Sequence, residues 1–230
     1  MSIKTISVAA FILCLVSLNY STAAAQSLTT GDGAGAQAGE RKFEVGAQFT
    51  AIRIDNDPIA IAVSERRTEP GFGGRLAYNL SRHVALEAEA NFFPRDYRGF
   101  LTPLSGGRIT QGLFGVKAGV HKERFGVFGK ARPGFVRYDG SVENVRFPDG
   151  SGPNPRDPFG FEYGSTTHLA LDVGGVVEYY PSRRTILRLD LGDTVVRYAG
   201  IPVFDSNRGL INVTEYQHNV QAGVGFGFRF

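Results

Sequence analysis

The chain has 230 residues, of which 42% are hydrophobic and 20% charged, with 30 Gly, 18 Phe, 9 Tyr and no Trp. This composition leans towards β structure and excludes a disordered or collagen-like chain. A formal charge of +3 is too small an excess to point to nucleic acid, and no nucleic-acid partner is expected.

Residues 1–25 combine a basic start at Lys4, an apolar run from Ile6 to Leu18 and the small residues Ala23, Ala24 and Ala25. They read as a Sec-type signal peptide cleaved before Gln26, with an apolar run too short to span a bilayer as a helix. The one cysteine, Cys14, lies in this leader and follows Ile12 and Leu13, so a lipidated cysteine is not expected. The mature chain then has no thiol, no disulfide and no cysteine-ligated metal. Residues 26–41 are rich in Gly, Ala, Gln and Thr, lack an apolar period and read as a flexible N-terminal tail.

From residue 42 to 230 apolar and polar residues alternate in eight segments, roughly 42–54, 71–80, 83–93, 108–120, 124–137, 166–180, 185–198 and 217–230. In the last, Val220, Ala222, Val224, Phe226, Phe228 and Phe230 share one parity while Asn219, Gln221, Gly223, Gly225, Gly227 and Arg229 share the other. A period of two means strands with one apolar and one polar face. Each segment reaches the ~9 to 11 residues that a tilted strand needs to cross lipid. The connections alternate between long (Asp55 to Pro70, Pro94 to Gly107, Tyr138 to Ser165, Ala199 to Tyr216) and short (Ser81-Arg82, His121 to Glu123, Pro181 to Arg184). Four long loops at one end and three tight turns at the other predict an all-β fold, an eight-stranded antiparallel up-and-down transmembrane β-barrel. An even strand number also removes exposed sheet edges.

Alternation alone leaves open a secreted, lipocalin-like barrel with an apolar interior. Glycine placement argues for a polar interior, because Gly46, Gly73, Gly115, Gly119, Gly126, Gly134, Gly174, Gly192, Gly223, Gly225 and Gly227 fall on the polar parity and only Gly74, Gly112, Gly129 and Gly175 on the other. A crowded lumen needs missing side chains, whereas a solvated face does not. The same polar parity carries Glu44, Glu87, Glu89, Asp172, Glu178 and Asp190 against Arg75, Lys117, Lys130, Arg132, Arg188 and Arg229. Equal numbers of each sign allow a closed network of buried pairs, where a lone charge would cost several kcal/mol. The expected lumen is filled by these twelve together with Gln48, Asn79, Asn91, Gln111 and Gln221. Two aromatic girdles are expected, Phe43, Tyr78, Phe125, Tyr179, Phe226, Phe228 and Phe230 at the turn end and Phe72, Phe92, Phe135 and Tyr138 at the loop end.

The segment Gly73 to Pro94, GGRLAYNLSRHVALEAEANFFP, with its tight Asn-Leu-Ser-Arg turn, and the GLFGVKAGV and FGVFGKARPGF strands resemble the OmpA/OmpX-type bacterial outer-membrane β-barrel domain family. The resemblance covers residues 42–230. It implies a Gram-negative outer-membrane location, contact with outer-membrane lipid and lipopolysaccharide, and recognition of a C-terminal assembly signal, Phe226, Phe228 and Phe230, by the barrel assembly machinery. It implies no activity, since the family includes tethers, adhesins and resistance factors. The sequence closes on its last strand, so a domain gripping peptidoglycan is not expected.

For chemistry, His83 and His121 sit by the turns, and His168 and His218 towards the loop end. Some barrel enzymes that modify lipid A use a rim histidine with an acid and a serine, and Asp205, Ser206 and Ser165 lie in or beside the long connections. The His-x-Ser spacing of the barrel lipid A deacylases is absent, so no catalytic residue is assigned and no enzyme is expected. The glycines Gly223, Gly225 and Gly227 lie within a strand with no helix after them, so they are not a phosphate-binding loop. No cofactor and no metal is expected. The four long loops sum to a charge of about −5, and are the expected place for a surface ligand. The function expected is a non-enzymatic role in membrane integrity or surface interaction; a small ion or solute pore and a lipid A-modifying enzyme remain the alternatives.

Overall fold

The computed structural model describes residues 42–54, 66–97, 106–146, 160–205 and 209–230. The leader with Cys14, the cleavage point at Ala25 and the tail to residue 41 lie outside the described residues. The described residues all belong to one compact unit.

Eight strands follow in order: β1 (Phe43–Ile54), β2 (Arg67–Asn79), β3 (Val84–Tyr97), β4 (Gly107–Lys122), β5 (Phe125–Arg146), β6 (Gly160–Tyr179), β7 (Thr185–Asp205) and β8 (Gly209–Arg229). Each pairs antiparallel with the next, and β1 pairs with β8 to close the barrel. The register of β1 runs from Phe43↔Tyr78 to Ile54↔Arg67 on one side and from Glu44↔Arg229 to Arg53↔Val220 on the other. Closure pairs the strands with one another all round the barrel, as hydrocarbon surroundings demand, while at the loop end 141–146 of β5 pair with β6, and 198–205 of β7 with β8, beyond the last pairs of β4 with β5 and of β6 with β7.

The turns have local causes. Between β2 and β3 the Ser81 hydroxyl accepts hydrogen bonds from the His83 and Val84 amides, at 3.2 and 3.1 Å. Between β6 and β7 Ser182 does the same for Arg184 and Thr185, at 3.1 Å each. Such serine-braced turns offer the backbone an alternative to continuing the ladder. The β4–β5 turn is only Glu123 and Arg124, with Glu123 at φ 44°, in the left-handed region that two-residue hairpins use.

Burial decides which face is inside. Glu44, Arg75, Glu87, Lys117, Arg132, Asp172, Glu178 and Arg188 are buried, whereas Phe49 is 74% exposed, Val120 64% and Leu189 60%. Charges inside and large apolar side chains outside reverse the order of a soluble domain. The lipocalin-like alternative is therefore excluded.

Three expectations need correction. The strands reach further at the loop end than the alternating segments did: 138–146 and 160–165 belong to β5 and β6, and 199–205 and 209–216 to β7 and β8. The reason is irregular pairing. Register shifts between Tyr138 and Ser141, Val142 and Asn144, and Ala199 and Ile201 reset the parity, so a strict period of two is lost while pairing continues. The fourth long connection thereby shrinks to residues 206–208. Secondly, Tyr138 is not a girdle residue; it is fully buried and points into the barrel. Thirdly, crowding by lumen side chains explains only some of the inward glycines. A Cβ on Gly192 would meet Asp172 Oδ1 at 2.7 Å, but one on Gly115 would meet the Ala131 carbonyl oxygen at 2.1 Å. There the obstacle is the neighbouring strand, pressed close by the curvature of a narrow barrel.

Candidate functional site

Strands β1, β5 and β7 all run from the turn end to the loop end, and their inward residues read out the layers of the lumen. Along β1 these are Glu44, Gln48, Thr50, Ile52 and Ile54; along β5, Lys130, Arg132, Val136 and Tyr138; along β7, Arg188, Asp190, Thr194, Val196 and Tyr198. The order is charge, then amide and hydroxyl, then apolar.

The charged layer is one connected network. Arg188 grips Glu87 with both terminal nitrogens, at 2.5 and 3.0 Å, and also reaches Glu178 at 3.2 Å and Asp190 at 2.8 Å. Arg132 joins Glu89 at 2.5 Å to Asp172 at 2.7 and 2.9 Å. Lys130 bridges Asp172, at 2.8 Å, and Asp190. Lys117 donates to Glu178 at 2.7 Å and lies over the Phe128 ring, 4.6 Å from its centre. Arg75 stands 3.6 Å from Glu178 and 3.8 Å from Glu87. Nearest the turns, Arg229 holds Glu44 at 2.8 Å and stacks over Tyr180, whose hydroxyl donates to Glu178 at 2.6 Å. The twelve charges expected in the lumen are thus brought into contact from one side of the barrel to the other. Bidentate geometry and shared carboxylates are what burial of so many ions requires.

The amide layer continues without a break. Gln48 donates to Asn91 at 2.8 Å, and Asn91 donates to Glu89 and to Gln111, both at 2.7 Å, while at the turn end Asn79 donates to Glu44 at 2.9 Å. Gln111, Gln221, Thr50 and Thr194 complete it with bonds of 2.9 to 3.1 Å.

Above lies a layer the sequence reading missed. Ile52, Ile54, Phe93, Ile109, Val136, Tyr138, Ala170, Val196 and Tyr198 form a buried apolar cluster inside the barrel. Tyr198 donates its hydroxyl to that of Tyr138 at 3.0 Å, and His168 packs on Tyr198 with ring centres 4.5 Å apart. The signal was present: the inward parity of 50–54 turns from Thr50 to Ile52 and Ile54, and that of β5 from Arg132 to Val136. Beside this layer Glu69, also missed, is buried 3.2 Å from Arg67 and 3.8 Å from Arg95.

The structure separates the two loop-end histidines. His168 faces the lumen, whereas His218 faces outward, with Nδ1 2.6 Å from Asp193 Oδ2. The wall of the barrel stands between them, so they form no common catalytic set. Ser165 accepts from Arg137 at 2.8 Å, and Ser206 lies outside the described residues. At the turn end His83 is exposed in its turn, and His121 packs edge-on against Tyr180, with ring centres 4.5 Å apart. Among the described residues no group of three or more His, Cys, Asp or Glu is placed to hold a metal ion. Phe226, Phe228 and Phe230 all stand on the outer face, with Phe226 and Phe228 in an edge-to-face pair 4.9 Å apart.

An apolar wall closed around an ion-paired interior is the construction of a transmembrane β-barrel. The comparisons carry this one step further: the model of the family described as "Outer membrane protein beta-barrel domain" matches residues 11–230, and the chain belongs to that family. It is thus a bacterial outer-membrane barrel protein. Among solved structures it is similar to Neisserial surface protein A, at 12% identity and a TM-score of 0.50, over 82% of this chain and 97% of that one. It is also similar to Ail, the attachment invasion locus protein of Yersinia pestis, at 12% identity and a TM-score of 0.47, over 83% and 99%. The N-terminal barrel of Pseudomonas aeruginosa OprF is a third, at 13% identity and 0.42, over 81% and 97%. No curated protein matches the chain in sequence.

Proposed function

We propose that this protein is a non-conducting barrel whose role, in membrane integrity or surface interaction, is carried without catalysis by the segments displayed at its loop end. The observation that supports this is the lumen. A continuous charged network is followed by an amide layer and then by an apolar layer, so an ion crossing the barrel would have to break buried pairs and then shed its water among Ile52, Phe93, Ile109 and Val196. In this reading residues 1–25 direct export and are removed near Ala25, the tail to residue 41 precedes the barrel, and the turns face the periplasm. Phe226, Phe228 and Phe230 engage the assembly machinery, and the exterior meets outer-membrane lipid and lipopolysaccharide. The test is single-channel recording in a planar bilayer, on protein shown to be folded by heat-modifiable gel mobility. Silence is expected; stable, salt-dependent steps would overturn the reading and make the protein a pore.

A further inference from the structure

We propose that the turn end is a binding surface for the headgroups of anionic phospholipids, with a groove for one lipid beside Arg184. Lys42, Arg82, Lys122, Arg124, Arg183 and Arg184 are all exposed at this end, with Glu123 the one exposed acid among them.

The cations are placed by built geometry. Two of the three turns share a Ser-Arg-basic sequence, Ser81-Arg82-His83 and Ser182-Arg183-Arg184, and in both the serine hydroxyl braces the two amides that follow the arginine. Each brace holds its arginine at the apex of the turn. In the third, Lys122 and Arg124 flank Glu123, whose left-handed backbone makes the tight reversal. Directly beside this basic ring the outer wall carries exposed Phe43, Phe125, Phe226, Phe228 and Phe230. Aromatic rings in such a band sit at the level of lipid headgroups, which puts the cations at the depth of the phosphates and not in open solvent.

One place has the shape of an amphiphile site. A groove of about 680 Å³ is lined by Ser182, Arg184, Thr185, Phe228, Arg229 and Phe230. Arg184 and two hydroxyls form its polar part and two phenyl rings its apolar part. The Arg229 guanidinium is turned inward to Glu44 at 2.8 Å, so Arg184 is the cation that meets a phosphate there. An acidic protein or a free phosphate would use the cations but not the rings, so a lipid fits more of what the groove offers. Which leaflet supplies the lipid rests on the orientation under Proposed function, and the turns then face the inner one.

The test uses the mature protein folded in a neutral detergent, with phosphatidylglycerol and phosphatidylcholine of identical acyl chains added in competition and the retained lipids counted by native mass spectrometry. Each cation near an anionic lipid surface raises binding about fivefold, so a preference for phosphatidylglycerol of about tenfold or more is expected. A variant with Arg82, Lys122, Arg124, Arg183 and Arg184 all replaced by Gln should bring the two lipids close to parity, and Arg184→Gln alone should lose the last lipid retained. Equal retention by folded wild-type protein overturns the proposal, as does a preference unchanged in both variants. Full competition by glycerol phosphate overturns it in favour of a free anion site. The orientation is checked apart: with no other cysteine in the mature chain, Ser81→Cys should react with an impermeant maleimide only after the outer membrane is permeabilised. Labelling in intact cells would reverse the leaflet while leaving the headgroup preference standing.

Discussion

Arg188 is the centre of the lumen network, and removing it is the sharpest test of how that network is held. Its guanidinium is 2% exposed as a residue and makes four contacts of 2.5 to 3.2 Å to Glu87, Glu178 and Asp190. Arg188→Met keeps much of the volume but leaves the six lumen carboxylates, five of them buried, facing five cations. Breaking a buried pair by removing one partner costs about 3 to 5 kcal/mol, because the charge left behind is uncompensated. Part of that cost is offset here, since Lys117 lies 2.7 Å from Glu178 and Lys130 already contacts Asp190, so Glu87 is the group most exposed to the loss. Arg188→Met is expected to lose about 3 kcal/mol, and the double variant Arg188→Met with Glu87→Gln, which restores neutrality, to recover at least about 1 kcal/mol of it. The chain has no Trp, so reversible urea unfolding in lipid vesicles is followed by far-ultraviolet circular dichroism and gel mobility. A single variant within about 0.5 kcal/mol of wild type would mean that the lumen is wet and its charges screened, and would refute the reasoning.

Two further outcomes are expected. Gly115→Ala would drive a Cβ to 2.1 Å from the Ala131 carbonyl oxygen and 2.6 Å from Arg132 Cα, both backbone atoms, whereas at Gly74 the nearest atom is 3.8 Å away. Gly115→Ala should therefore lower refolding yield and stability by about 2 kcal/mol or more while Gly74→Ala stays within about 0.5 kcal/mol; equal effects in urea melts would count against the close approach. His218→Ala breaks an exposed pair with Asp193, so stability should change by less than about 1 kcal/mol and the lipid A mass of expressing cells should not change at all. A shift in lipid A mass that depends on His218 would establish the enzyme alternative instead.

The barrel was legible in the sequence because a period of two is a one-dimensional property: Val220 to Phe230 alternate whatever they pair with. The sign of the interior was also legible, since Glu87, Arg132, Asp172 and Arg188 share a parity with the glycines. Tyr138 shares the parity of Lys130, Arg132 and Val136 along β5 and was misread because its place near the loop end was weighed without that parity. An aromatic near the loop end is equally consistent with a girdle or a plug until its parity is known. The extension of β5 to β8 was hidden by bulges, each of which restarts the alternation on the other face.

The sequence by itself determined strand number, closure, the polar inside and the balance of lumen charges, all of which follow from pattern and count. Only the tertiary structure decided who meets whom. Glu87 and Arg188 are distant along the chain and on non-adjacent strands, so no spacing rule links them, and their contact exists because closure brings inward side chains together across the lumen. The same holds for His168 and His218, which lie on opposite faces of the wall. It holds too for the six turn-end cations, scattered from residue 42 to 184 in sequence, which become one ring because every turn lies at the same end of the barrel.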